Sequence, residues 1–305
     1  MPEATVSPTI ERELSGARVL VTGLSGFTGG HLRRELERCG ATVVGLADRD
    51  GGKRTDIGDR GAVRKAVTGN RFDAVIHLAG VAFVAHGDAN EIYRSNIIGT
   101  RNLLEALCGC AHAPSIVIVA SSASIYGSTS ADPIKESEPP LPASDYAISK
   151  LAVEGLCRMY AASLPIVVVR PFNYTGIGQH ARFVVPKLVE AFRRRSDEIE
   201  LGNVRVWREF MDVRVVAEVY RRLLVHAPVG VTINIASGRY HSLEDVLKAL
   251  KALTDHHPRI RTDLQLLRSN DVAKLCGSPE LLERTIGEVA WPTLHETLEW
   301  MLQSP

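Results

Sequence analysis

A tyrosine and a lysine four positions apart, Tyr146 and Lys150 in the run Tyr146-Ala147-Ile148-Ser149-Lys150, fall on one face of a helix. An ammonium beside a phenol favours the phenolate, because a positive charge stabilises a neighbouring anion. A free tyrosine titrates near ~10 and is a poor base at neutral pH. With Lys150 beside it, Tyr146 is expected to exchange a proton with a substrate alcohol or ketone. Ser122 precedes the pair at the end of an apolar run, and the three form the first candidate catalytic set.

A second constellation supplies what such a set would act with. Arg18-Val19-Leu20-Val21-Thr22 is a short β-branched run without helical period, which predicts a buried strand. It leads into Gly23-Leu24-Ser25-Gly26-Phe27-Thr28-Gly29-Gly30, and a helix follows with Leu32, Leu36 and Cys39 on one face and Gly40 as its stop. Strand, glycine turn and helix N-terminus together hold a pyrophosphate: glycines admit the phosphates close to the backbone, and the helix dipole favours their charge. The spacing is G-x-x-G-x-x-G rather than the commoner G-x-G-x-x-G. Gly23, Ser25, Gly26, Phe27, Thr28 and Gly29 are therefore expected to bind a dinucleotide, NAD or NADP. An acidic residue at the end of the second strand binds the ribose hydroxyls of NAD. Asp48 lies one place past that slot, and Arg49, Lys53 and Arg54 are alternative partners for the 2′-phosphate of NADP, so the choice stays open.

The elements that must position these groups follow from pattern. Apolar runs predict strands over residues 41–46, 73–80, 115–120, 165–170 and 231–235. Between them, helices are expected over 59–67, 92–107 and from Tyr146 to about 162. Strands and helices that alternate in this way, with the strands apolar throughout, mean a parallel sheet covered on both faces. Beyond Pro171 the alternation loosens; 183–195 predicts an amphipathic helix, and 242–253 a helix opened by a capping box of Ser242 and Asp245. The expected fold is α/β, a doubly wound parallel Rossmann sheet with a smaller C-terminal α/β substrate lobe. Its expected parts are a flexible extension (1–16), a dinucleotide domain (17–171) and the lobe (172–305), with about 211–236 returning to the sheet.

Bulk properties exclude other classes. At 305 residues with 45% hydrophobic and 23% charged content, the chain resembles an ordinary globular protein. Its formal net charge of +1 gives no reason to expect a nucleic-acid or membrane surface. No apolar run approaches the ~18 residues needed to span a bilayer. Residues 1–16 lack the apolar core of a signal peptide, so a cytoplasmic location is expected. The five cysteines are scattered, Cys108 and Cys110 have no partner pair at ligand spacing, and no metal site is expected.

Taken in order, Gly23/Gly26/Gly29, Asp56-Ile57, His77-Leu78-Ala79-Gly80, Asn96, Ser121-Ser122, Tyr126-Gly127, Tyr146/Lys150 and Arg170-Pro171-Phe172-Asn173 make the chain resemble the extended short-chain dehydrogenase/reductase superfamily over nearly its whole length. By that resemblance Ser122 would hydrogen-bond the substrate oxygen, Tyr146 would be the acid/base and Lys150 would hold the nicotinamide ribose. Asp56 and Ile57 would line the adenine, and Leu78, Ala79, Gly80, Asn96 and Pro171 would complete the cofactor site. His77 is expected to be a packed strand-end histidine rather than a catalyst. Later motifs are similar to the GDP-mannose 4,6-dehydratase and GDP-4-keto-6-deoxymannose reductase group: Arg170 to Gln179 resembles RPFNxxGxGQ, Arg208 to Val213 resembles R-D-F-x-D-V, Arg268 to Asp271 resembles R-P-x-E, and Trp291-Pro292 resembles its closing element. Such a ligand is a nucleotide-diphosphate sugar, GDP- or dTDP-linked, whose diphosphate suits the guanidinium forks of Arg208 and Arg268. Val81, His86, Ser122, Ser124, Asn173, Phe183, Val184 and Lys187 are the other substrate-facing candidates.

The reaction is narrowed by what lies between Ser122 and Tyr126. Dehydratases of this superfamily carry acidic residues there; Ala123 and Ser124 cannot form a carboxylate acid/base pair. The resemblance therefore implies an NAD(P)H-dependent reductase acting on the C4 ketone of an NDP-4-keto-6-deoxyhexose. A 4-epimerase with tightly held NAD is the alternative, and a non-catalytic scaffold of the same fold the remaining one. It also implies a homodimer paired through residues 92–107 and 147–162.

Overall fold

The computed structural model describes residues 14–46, 55–82, 88–204, 206–226, 228–263 and 272–303. From its N-terminal side the chain runs through β1 (Arg18–Thr22), α1 (Phe27–Arg38), β2 (Thr42–Gly45), α2 (Arg60–Val67), β3 (Ala74–His77), α3 (Ala89–Tyr93), a π-helical turn (Arg94–Ile98), α4 (Gly99–Cys108), β4 (Ile116–Ala120), a single 3-10 turn (Ala123–Tyr126), α5 (Asp145–Tyr160) and β5 (Ile166–Pro171). There follow β6 (Tyr174–Thr175), α6 (Val184–Arg193), β7 (Glu198–Leu201), β8 (Trp207–Arg208), β9 (Met211–Asp212), α7 (Val213–His226), β10 (Thr232–Ile235), β11 (His241–Ser242), α8 (Leu243–Thr254), β12 (Arg259–Thr262), β13 (Lys274–Leu275), α9 (Glu280–Ile286) and α10 (Leu294–Gln303).

The apolar runs assemble a six-stranded parallel sheet in the order β10-β5-β4-β3-β1-β2. Each strand is apolar on both sides because each side is covered. Val19 and Val21 of β1 and Ile116 and Ile118 of β4 pack with Leu32 and Leu36 of α1 and Val216 and Leu223 of α7. The alternate residues Leu20, Val117 and Val119 face Val63 and Val67 of α2, Leu103 and Leu107 of α4 and Val153 of α5. β1 pairs with β2 on one side and β3 on the other, so the strand order reverses there. In an open α/β sheet such a reversal leaves a crevice beyond the carboxyl ends of the strands.

A third apolar cluster forms the smaller lobe, where Leu188 and Phe192 of α6 meet Val246 and Leu250 of α8 and Leu298 and Met301 of α10. The capping box expected at α8 is formed: Asp245 N donates to Ser242 Oγ at 3.1 Å and Ser242 N to Asp245 Oδ2 at 2.9 Å. A fully buried carboxylate joins this region to the sheet. Glu209 accepts Ser237 N and Ser237 Oγ, each at 2.6 Å, and Gly277 N at 2.7 Å. Burial pushes its carboxyl up to about 7, against the pull of those bonds.

The helix expected over 92–107 is formed by α3 and α4, which run on through the π-helical turn at Arg94–Ile98 with Tyr93 and Gly99 on either side in right-handed helical conformation. Within this turn lies Asn96, 1% exposed, whose side chain bonds outside the helix. Its Oδ1 accepts Val81 N at 2.8 Å, and its Nδ2 donates to Ser149 Oγ at 2.9 Å. Single π turns of this kind are frequent at functional sites.

Candidate active site

The glycine turn shows why it must be glycine. Gly23 has φ +72°, and a Cβ there would stand 2.9 Å from Ala79 N. At Gly29 a Cβ would stand 2.4 Å from Gly23 O and 2.6 Å from Leu24 Cα, so α1 lies directly against the turn. α1 begins after Gly26 with no side-chain cap and no acidic residue in its first turn. Its leading N–H groups and the positive end of its dipole therefore remain for an anion. They open onto a cavity of about 880 Å³ above the carboxyl ends of the strands. That volume lies within the ~300–1,000 Å³ of small-molecule sites. A cradle that a Cβ would fill, an uncapped helix end and the cavity onto which both open together fit a dinucleotide pyrophosphate.

Ser122, Tyr146 and Lys150 line the same cavity. Ser144 caps α5, its hydroxyl accepting Ala147 N at 3.2 Å, which sets Tyr146 in the first helical turn. Ser122 Oγ accepts Ser124 N at 3.1 Å, and its hydroxyl bonds to the Tyr146 side chain. Lys150 Nζ donates to Ala120 O at 2.9 Å and lies 6.0 Å from the Tyr146 ring centroid. The expectation that Lys150 acidifies Tyr146 is corrected here. Burial dominates, pushing the phenol up to about 12 despite the bond from Ser122, and drawing the Lys150 ammonium down to about 8. Tyr146 is thus protonated at neutral pH, the form that gives a proton to an alkoxide.

Below these groups a neutral histidine ties the strand ends together. Thr100 Oγ1 donates to Asn96 O at 2.5 Å, so it accepts from His77 Nε2 at 2.9 Å. His77 Nδ1 then accepts from Thr22 Oγ1 at 2.6 Å, and Thr22 Oγ1 accepts Ala79 N at 3.0 Å. This assigns the Nε2–H tautomer, and burial holds the ring's pKa down at about 3. His77 is the packed strand-end residue that was expected. It fixes the backbone of Leu78 and Ala79 under the cavity.

Most expected site residues meet on one surface. Gly23, Ser25, Gly26, Phe27, Thr28, Gly29, Ile57, Leu78, Ala79, Gly80, Val81, Ser124, Pro171, Asn173 and Phe183 line the cavity with the catalytic three. Five others do not. Asp56 pairs with Arg94, whose guanidinium holds the carboxyl below its usual range, and accepts Gly58 N at 2.9 Å. Asn96 stands behind Val81 and braces it. Lys187 turns away and donates to Glu200 O at 2.7 Å, while Val184 packs into the lobe core. Arg208 Nη1 donates to Trp207 O at 2.8 Å along β8. Asp48, Arg49, Lys53, Arg54, His86 and Arg268 lie outside the described residues.

The cavity also has walls that spacing alone did not reveal. Tyr174 lines it, donating or accepting with Thr28 Oγ1 at 2.8 Å and stacking on Phe27 at 6.0 Å, so β6 clamps the glycine turn. Arg33 and Arg182 line it too, one on α1 and one just before α6. Arg33 lies four residues beyond Gly29 on the same helix, a spacing that periodicity offered. Among the described residues, no Asp or Glu lines the cavity, whereas Lys150, Arg33 and Arg182 do. The hollow is electropositive and suits a polyanionic ligand.

A dinucleotide-binding α/β fold with a Ser–Tyr–Lys set lining the same cavity as its glycine turn defines an NAD(P)-dependent enzyme. The chain belongs to the NAD dependent epimerase/dehydratase family, whose model matches residues 19–236. It is 33% identical over 294 residues to the GDP-6-deoxy-D-talose 4-dehydrogenase of Aggregatibacter actinomycetemcomitans, covering 94% of this chain and 97% of that one. It is 32% identical over 299 residues to the GDP-6-deoxy-D-mannose reductase of Pseudomonas aeruginosa, covering 93% and 96%. Among solved structures, RMD from Pseudomonas aeruginosa complexed with NADPH matches with a TM-score of 0.85 at 31% identity, covering 94% and 97%.

Proposed function

We propose that this protein is a nucleotide-sugar oxidoreductase that reduces the C4 ketone of a GDP-linked 4-keto-6-deoxyhexose. The observation that carries the reading is the meeting of Ser122, Tyr146 and Lys150 with the glycine turn around one electropositive cavity. Similarity to enzymes named for GDP-6-deoxy-D-talose and GDP-6-deoxy-D-mannose supports the sugar and its nucleotide. The bound cofactor supplies hydride. Ser122 donates a hydrogen bond to the carbonyl oxygen, Tyr146 delivers the proton and Lys150 orients the ribose. Ala123 and Ser124 stand where dehydration needs carboxylates, and no acidic side chain lines the cavity among the described residues. Mixing the purified protein with GDP-4-keto-6-deoxymannose and NADPH or NADH is expected to oxidise one cofactor per sugar reduced. Sugar isomers formed without net cofactor turnover would instead establish the 4-epimerase alternative.

A cytoplasmic homodimer is part of the proposal. All five cysteines are free thiols, which supports a reducing compartment. Ile98 and Ile148 are each 45% exposed and Met159 76%, on the π-helical turn and α5, where an apolar face calls for a partner. Light scattering should give about twice the 33.2 kDa chain mass, and Met159→Asp should lower it toward one chain. A wild-type protein of single-chain mass would contradict the pairing.

A further inference from the structure

The helical face that carries Tyr146 and Lys150 continues to Glu154, one turn further along α5 and 2% exposed. Glu154 Oε1 accepts Ser121 Oγ at 2.7 Å and Arg170 Nε at 2.8 Å, while Oε2 accepts Arg170 Nη2 at 2.8 Å. Arg170 Nη1 reaches onward to Tyr126 OH at 2.8 Å and Glu136 O at 3.0 Å. Tyr126 OH in turn donates to Asn234 Oδ1 at 2.7 Å, and the Arg170 guanidinium lies 5.1 Å from the centre of the Tyr126 ring.

Ser121 and Tyr126 are the two ends of the short segment that contains Ser122. Its first residue is tied to the carboxylate of the ion pair and its last to the guanidinium. Burial alone would weaken the Arg170 charge, and the bonds to Glu154 outweigh it. A buried ion pair adds little net stability over an apolar pair of similar volume. What a bidentate pair adds is fixed geometry. Here that geometry spans α5, β4 and β5 and touches no atom of Tyr146 itself.

We propose that the Glu154–Arg170 pair is a positioning device that sets Ser122 against Tyr146, by holding both ends of the Ser121–Tyr126 segment to the helix that bears the tyrosine. The proposal rests on the reading of Ser122 and Tyr146 as the proton-handling pair. An error of about 1 Å between reacting groups can cost ~100-fold in rate. Glu154 is therefore a positioning residue, and its effect falls on turnover rather than on binding.

The test uses the whole protein with GDP-4-keto-6-deoxymannose and NADPH. Glu154→Gln is expected to lower kcat by about 10- to 100-fold while KM for sugar and for NADPH stays within about twofold. Ser121→Ala leaves the ion pair in place and removes the hydroxyl that links it to the segment, so it should lower kcat in the same direction, with KM for NADPH read beside it because Ser121 also lines the cavity. Ser121→Thr restores the hydroxyl and should recover most of the rate. Wild-type kcat in both Glu154→Gln and Ser121→Ala, whatever their melting temperatures, would overturn the proposal. If Glu154→Gln does not fold, Ser121→Ala decides alone. Tyr146→Phe separates the two readings: activity there refutes the proposed reaction, whereas an inactive Tyr146→Phe beside fully active Glu154→Gln and Ser121→Ala refutes only the positioning device.

Discussion

Tyr146→Phe is expected to lower kcat for ketone reduction by about 10²- to 10⁴-fold, the usual share of a positioned general acid. That loss corresponds to about 3–5 kcal/mol of transition-state stabilisation. The Ser122 hydroxyl is a far weaker acid than a phenol, and Lys150 Nζ is held on Ala120 O at 2.9 Å. The ring itself is buried, so phenylalanine fills the same space and the affinity for NADPH should change less than threefold. Steady-state kinetics and a fluorescence titration with NADPH check both halves. A variant that retains a tenth or more of wild-type kcat would remove Tyr146 from the mechanism.

Gly29→Ala is expected to weaken NADPH binding by at least ~100-fold, about 2.7 kcal/mol. The added methyl would lie 2.4 Å from Gly23 O and 2.6 Å from Leu24 Cα, both backbone atoms that cannot step aside. Either the turn or the start of α1 must shift, and the N–H groups that face the pyrophosphate shift with it. The adjacent Gly30→Ala is the internal control, because nothing lies within 4 Å of a Cβ there. It should bind NADPH normally and should be slightly more stable, since alanine favours the helix. Equal affinities in the two variants would mean that the turn is not the phosphate cradle.

The fold was legible wherever the signal was local. Continuous apolar runs such as residues 116–120 state that both faces are covered, and the structure covers both. Ser242 and Asp245 announced the start of α8 because a capping box needs only a three-residue spacing. The π-helical turn was not legible, because residues 92–107 carry an ordinary helical period and the partners of Asn96, Val81 and Ser149, are distant in sequence. Site residues divided in the same way. The glycine turn and the Tyr146–Lys150 spacing carry their geometry in the sequence. Lys187 and Arg208 did not, since a cationic residue type says nothing about which surface it faces. The state of Tyr146 was misjudged for a related reason: spacing shows that Lys150 is near but does not show how far burial shifts both groups. Arg182 and Tyr174 join the cavity only once the chain beyond β5 folds back over the glycine turn.

The most direct measurement follows a label from cofactor to sugar. With NADPH carrying deuterium at the transferable C4 position and GDP-4-keto-6-deoxymannose in equal amount, product recovered after one turnover is analysed by mass spectrometry and proton NMR. One deuterium at sugar C4, with none in the Tyr146→Phe variant over the same time, is the predicted result. Sugar recovered without deuterium from the wild-type protein, with NADPH and with equally labelled NADH alike, would contradict the account at its centre.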